Sequence, residues 1–296
     1  MTSTQDRVFI VGGTGNIGTK LVQDLLEKNV AMTLYARTPS KIESMFPNST
    51  ELINIVQGDY SDLSSLETGI KGHSRLFLLV SDFSDFVNLK KNIAKIAYDS
   101  GVKQIVDISS FTVNMGWRTS YIGALHYGAE KAIFDLPGRG NLVALRPGRF
   151  MSNVVDHSRP SADNKIFDCL TGDLSLGFIS TNDIGAVAAV VLSEAIEKHG
   201  DAVYSLTGDI TNGHQRAQII SDIVGREINY QQVKPIQKYN KIMESGHFPH
   251  LFAMDLAAGL DSCPDDRVTP EISILLGRDP ETVKEFLVAN KASIQA

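Results

Sequence analysis

The sequence predicts an α/β fold, a doubly wound parallel sheet followed by a smaller C-terminal α+β lobe. Three observations predict it. A short apolar run, Val8–Val11, breaks into a glycine cluster and then into an amphipathic pattern. Strand-like and helix-like stretches then alternate as far as residue 147, which is the rhythm of crossovers onto a parallel sheet with helices on both faces. Beyond residue 150 that rhythm stops. The expected division is 1–150 and 151–296, with the chain returning to the first domain around 178–210.

The glycine cluster comes first. Gly12, Gly13, Thr14, Gly15, Asn16, Ile17 and Gly18 fit two spacings, Gly13-x-Gly15-x-x-Gly18 and Gly12-x-x-Gly15-x-x-Gly18. In both, one glycine permits a tight turn, one admits a pyrophosphate close to the backbone, and one lets helix pack on strand. The helix that follows carries Ile17, Leu21, Val22, Leu25 and Leu26 on one face. Its unpaired N–H groups and positive dipole end suit an anion. The strand before, the helix after and a second strand at Met32–Ala36 supply the context of a Rossmann dinucleotide site.

Further strands are expected at 53–56, 76–80, 104–108 and 142–145, and helices at 41–46, 62–70, 88–98 and 123–136. Ligands of such a sheet lie at the carboxyl ends of its strands. The second strand ends in Arg37, with Lys41 four residues on, where NAD sites usually carry a carboxylate. Two cations there would pair with a 2′-phosphate, so NADP(H) is the expected cofactor. The third strand ends in Asp59 and Tyr60, and Asp59 either accepts from an adenine amino group or caps the next helix. The fourth ends in Val80 and Ser81, beside the middle of the cofactor. The fifth ends in Ser109, beside the nicotinamide, either holding a substrate carbonyl or satisfying loop backbone.

The next helix carries His126-Tyr127-Gly128-Ala129-Glu130-Lys131. Tyr127 and Lys131, four apart, share one helix face. The ammonium would lower the phenol's pKa and bind ribose, and the phenol would protonate a carbonyl receiving hydride. The sixth strand leads into Arg146-Pro147-Gly148-Arg149-Phe150. Pro147 and Gly148 suit backbone contact with the nicotinamide amide, and Phe150 and Met151 suit the walls around a flat ring.

Residues 12–18, Ser109-Ser110, His126-x-x-x-Glu130 and the RPGxFxxN segment at 146–153 together resemble the NmrA-like atypical short-chain dehydrogenases. The resemblance runs nearly end to end. It includes a D-I-G-x-x-A-A helix at 179–189, a Y-x-L-T-G strand at 204–208 and a closing helix at 282–290. It implies an NADPH-dependent reductase of a small apolar quinone, enone or carbonyl compound. It equally accommodates a sensor that binds NADP(H) and a protein partner without turnover. It also implies a second register of the 123–136 helix, with His126 in place of the tyrosine and Glu130 in place of the lysine. The Tyr127/Lys131 pair would then be rotated by about 100°. Tyr127 with Lys131, His126, and no acid on this helix all stay open.

Composition narrows the partners. A formal net charge of −6 offers no cationic excess for direct nucleic-acid binding. No run approaches the roughly 18 apolar residues of a membrane span. The short polar start leaves no room for a signal peptide, so a cytoplasmic protein is expected. Cys169 and Cys263 show no metal-ligand spacing and are read as free thiols. His247-Phe248-Pro249-His250 has no third ligand in register, so no metal is expected. A homodimer or a regulatory protein partner remains open, and Trp117 lies in a loop that lines either a pocket or a subunit contact.

In the second half the expected order is an irregular polar stretch over 152–177, then a helix capped by Thr181 or Asn182 and running to Leu192. Strands follow at 202–206 and 227–233, with helices at 213–224, 235–243, 249–260 and 282–290, the last started by Asp279-Pro280-Glu281.

Overall fold

The computed structural model describes residues 7–47, 51–116, 118–157, 159–246, 248–259 and 267–295. Trp117, His247 and Cys263 lie outside the described residues. The chain divides into two compact units. The first comprises 1–109, 125–146 and 184–204, and the second 110–124, 147–183 and 205–296.

The first unit is built on β1 (Val8–Val11), β2 (Met32–Ala36), β3 (Ile53–Gln57), β4 (Arg75–Leu78), β5 (Gln104–Ile108) and β6 (Asn141–Pro147). With a later strand, Val203–Leu206, they form a seven-stranded sheet in which β5 and β4 lie between β6 and β1, and β2 and β3 lie beyond β1. The pairings β1 with β2 and β4, β2 with β3, β4 with β5, and β5 with β6 are all parallel. β1 and β5 are buried along their whole length, as strands covered on both faces must be. That burial explains the unbroken apolar run of β1. Between the strands run α1 (Asn16–Glu27), α2 (Pro39–Met45), α3 (Ser64–Gly69), α4 (Phe86–Asp99) and α5 (Tyr121–Phe134). One core joins Phe9, Val11, Leu76 and Ile105 of the sheet to Phe86, Leu89, Ile93 and Ala97 of α4 and Ala129 and Ile133 of α5. The seven-stranded sheet with flanking helices is the predicted fold.

The fourth strand stops at Leu78, two residues earlier than the hydrophobic run suggests. Val80 therefore stands in the loop that follows, although it is still buried.

In the second unit the stretch from 152 to 177 is more regular than its polar composition suggests. It holds α6 (Ser152–His157), a strand at Lys165–Asp168 and the start of another at Leu176–Ile179. The Leu176–Ile179 strand lies between Arg149–Phe150, which runs parallel to it, and Asp209–Thr211, which runs antiparallel. The Lys165–Asp168 strand pairs with Asn229–Gln232 in parallel. Their core gathers Met151, Ile166, Phe178, Ile220, Phe286 and Leu287.

Two helix starts move. The Thr181–Ser193 helix is preceded by Ser180, whose Oγ accepts from the N–H of Asn182 at 3.0 Å. The closing helix begins at Val283, because Thr282 and Glu285 form a reciprocal capping box there. The carboxylate of Glu281, expected to enter the first turn, accepts instead from Ser180 and Asn182. No helix among the described residues is long and apolar enough to cross a membrane.

Candidate functional site

The loop from β1 to α1 shows what each glycine is for. Gly12 has φ +92°, and a Cβ there would meet the carbonyl oxygen of Leu79 at 2.6 Å. A Cβ on Gly18 would lie 2.2 Å from the carbonyl oxygen of Gly12 and 2.6 Å from Cα of Gly13. These two are demanded by the fold itself, one by the turn and one by helix-on-strand contact. Gly15 is different. It is exposed, its φ of −91° suits any residue, and a Cβ would find nothing nearer than the Gly12 oxygen at 4.0 Å. A side chain at Gly15 would occupy open space at the first turn of α1. No side chain caps that turn, so its first N–H groups lack intrahelical acceptors. This cradle fits a dinucleotide pyrophosphate, with Gly12, Gly13, Thr14, Gly15, Asn16, Ile17 and Gly18 around it.

The cations of the second strand end stand beside it. Arg37 and Lys41 are exposed, and Lys41 Nζ donates to the carbonyl oxygen of Thr14 in the glycine loop at 3.2 Å. Asp59 is already engaged. Its carboxylate accepts from the backbone N–H of Ser61 at 2.8 Å and from the Ser61 hydroxyl. Those bonds, with the Arg37 guanidinium adding to them, hold its carboxyl below the usual range. It closes a turn at 59–62 and does not cap α3, where Asp62 accepts from the N–H of Ser64 at 2.9 Å. Tyr60 packs against the core, and burial pushes its phenol up to about 12. Val80 is buried and Ser81 is exposed.

The end of β5 holds a polar cluster that decides the register of α5. Ser109 is buried, its N–H donates to Leu145 O at 2.8 Å, and its hydroxyl donates to Glu130 Oε1. Arg146, at the end of β6, grips the same carboxylate with two bonds, Nε to Oε1 at 2.9 Å and a terminal nitrogen to Oε2 at 2.6 Å. His126, four residues before Glu130, is buried against Phe86, with ring centroids 4.9 Å apart. The face of α5 turned toward Ser109 is therefore that of His126 and Glu130.

This corrects the expected site. Tyr127 is 43% exposed. The Lys131 side chain is 58% exposed, and its ammonium lies 2.5 Å from Asp135, one turn further along the same outer face. Hydrogen bonding to Asp135 raises the pKa of Lys131. The structure does not bring Tyr127 and Lys131 together with Ser109, and the physical reason is Arg146, which draws Glu130 inward. The Ser109 hydroxyl directs its proton at Glu130.

Sequence reasoning missed the deepest part of the cluster. Lys90 of α4 and Asp107 of β5 are both completely buried, with Nζ 2.6 Å from Oδ1. Lys90 also donates to Ile108 O at 2.9 Å and lies over the Phe86 ring. Burial raises the Asp107 pKa, and the neighbouring ammonium offsets only part of that rise. Burial, and then that same ammonium, hold the His126 imidazolium well below its usual range, so the ring is neutral at pH 7. The signal was available. Lys90 falls on the inward face of α4, four after Phe86 and three before Ile93, where a cation needs a buried partner.

Pro147, Gly148 and Phe150 belong to the second unit. The Gly148 N–H donates to Leu206 O at 2.9 Å. Phe150 is half-buried and pairs in register with Ile179.

Several known proteins resemble nearly the whole chain. The prestalk A differentiation protein A of Dictyostelium discoideum is 26% identical over 298 residues, covering 97% of this chain and 93% of that one. Quinone oxidoreductase 2 of Escherichia coli is 25% identical over 293 residues, covering 94% and 96%. Its crystal structure with NADPH matches with a TM-score of 0.80 at 23% identity, over 96% of this chain and 99% of that one. The negative transcriptional regulator NmrA in complex with NADP matches with a TM-score of 0.74 at 15% identity, over 97% and 95%. The sequence model of the NmrA-like family matches residues 4–287. With that match spanning both units, the chain belongs to the NmrA-like family.

Proposed function

We propose that this chain is an NADPH-dependent oxidoreductase of a small apolar quinone, enone or carbonyl compound, with quinones favoured. The observation that carries the cofactor is the open cradle at Gly15 with Arg37 and Lys41 beside it. When bound, NADPH supplies a hydride. The residues that hold it in this reading are the 12–18 loop for the pyrophosphate and Arg37 with Lys41 for the 2′-phosphate. Ser109 stands near the nicotinamide. The oxidoreductase name of the Escherichia coli relative, carried over to this chain, agrees with it.

The cluster at β5 supports the preference among acceptors. His126 is neutral, and a neutral imidazole is a poor acid. The Ser109 proton is held by Glu130, and Tyr127 with Lys131 lies on the outer face of α5. A simple ketone needs a proton as hydride arrives, whereas a quinone spreads the negative charge and takes its proton from water afterwards. NADPH oxidation should therefore proceed with quinones and not with unactivated ketones, and Tyr127→Phe should keep at least half of wild-type turnover. Fast ketone reduction lost in Tyr127→Phe would restore the phenol as the acid.

A second reading has one specific observation in its favour. The outward Tyr127/Lys131 pair removes the main sequence argument against a cofactor sensor that binds a protein partner without turnover. Tight NADPH binding with no turnover on any quinone would support it.

Arg37→Glu should weaken NADPH binding at least about tenfold while NADH changes much less, read by fluorescence titration. Equal losses would remove Arg37 from the phosphate.

A further inference from the structure

The Ser109–Glu130–Arg146 chain has a direction. The Arg146 guanidinium has donors and no acceptor, and its two bonds hold Glu130 as an acceptor. Glu130 in turn takes the only proton Ser109 Oγ has to give. The Ser109 main chain is held in the sheet by its bond to Leu145 O. What remains on Oγ is lone-pair capacity alone.

The place of this atom narrows its partner. Two strand spacings separate β5 from β1, or about 10 Å at the usual distance between neighbours. A dinucleotide anchored at residues 12–18, with its adenosine half toward Arg37 and Lys41 beyond β2, sends its other half across β4 toward β5. The nicotinamide half carries one group whose nitrogen can only donate, the primary carboxamide.

We infer that Arg146 and Glu130 are positioning residues that fix Ser109 Oγ as an acceptor for the carboxamide N–H of the nicotinamide. This rests on the NADP(H) reading above. It gives the cluster a task other than catalysis, which is to choose which way the carboxamide, and with it the ring, is turned.

The test uses a nucleotide without that N–H. In the 3-acetylpyridine analogue of NADP⁺ a methyl ketone replaces the carboxamide. Dissociation constants of NADP⁺ and the analogue are measured by calorimetry on the full chain and its variants. Wild type should prefer NADP⁺ about three- to tenfold, the size of one hydrogen bond. Ser109→Ala should bring the ratio close to one by weakening NADP⁺ and sparing the analogue, and Ser109→Thr should keep it. In Glu130→Gln the amide can donate to Oγ and free the hydroxyl proton, so the preference should shrink or invert toward the acetyl carbonyl. A purely structural role would lower stability and leave the ratio alone. A wild-type ratio unchanged in both Ser109→Ala and Glu130→Gln overturns the inference while the cofactor reading stands. Failure of wild type to bind either nucleotide overturns the cofactor reading itself.

Discussion

Lys90→Met should cost about 3–5 kcal/mol of folding stability, because it leaves the carboxylate of Asp107 uncompensated in the core. Both side chains are completely buried, and methionine nearly preserves the volume, so packing contributes little. The urea midpoint is the measurement. The double variant Lys90→Met/Asp107→Val should recover most of the loss, since removing both charges removes the desolvation that the pair has to offset. A single variant as stable as wild type would mean that the pair is neutral already. The loss should also depend on pH in a definite sense. Without the ammonium, burial and then the Glu130 carboxylate act on Asp107, and both raise its pKa in the folded state. A raised folded pKa gives a contribution fully present below the unfolded value and lost as pH rises through the folded one. The deficit of Lys90→Met should therefore be largest at neutral pH and shrink on acidification. A deficit that grows in acid would contradict this assignment.

Gly18→Ala should lower NADPH affinity at least about a hundredfold, the loss of one or two bonds to a charged group. Its Cβ would fall 2.2 Å from the Gly12 oxygen and 2.6 Å from Gly13 Cα, both backbone atoms. Neither can turn aside as a side chain would, so α1 must back away from β1 and take its first N–H groups with it. Overpacking of this kind also costs about 1–3 kcal/mol of stability. Gly15→Ala is the contrasting variant. Among the described residues, chain neighbours aside, its Cβ would meet only the Gly12 oxygen, at 4.0 Å. Stability should stay within about 0.5 kcal/mol of wild type, while NADPH binding still falls because the methyl group takes ligand space. Thermal unfolding and fluorescence titration of the two variants separate the roles. If Gly15→Ala bound NADPH as wild type does, the cradle would not be the pyrophosphate site.

The first half of the fold could be read from the chain because its signals are local. Val8–Val11 ends at a glycine whose φ is positive, and Met32–Ala36 and Gln104–Ile108 have the bounds that the sequence predicts. The second half was less legible where burial is supplied from far away. Lys165–Asp168 becomes a strand only because Asn229–Gln232 pairs with it, and its four residues alternate too briefly to announce themselves. The last helix starts late because the capping box of Thr282 and Glu285 wins over the earlier Asp-Pro-Glu signal. The face of α5 was the hardest. Two candidate pairs sit about 100° apart on one helix, and both have spacing four. The choice is made by Arg146, sixteen residues beyond Glu130 and on a different element. A helix pattern contains no trace of that partner.

The buried ion pair has a consequence for assembly of the sheet as well as for its strength. Side chains alternate along a strand, so a shift of β5 by one residue against its neighbours would turn Asp107 to the opposite face. Val106 or Ile108 would then stand opposite Lys90. The apolar alternatives around them, Ile105, Val106 and Ile108, are nearly interchangeable and would tolerate such a shift with little protest. The stranded ammonium would not. In a run of greasy residues that could slide, a single charge and its countercharge act as the alignment mark, rejecting the mispaired sheet before it closes.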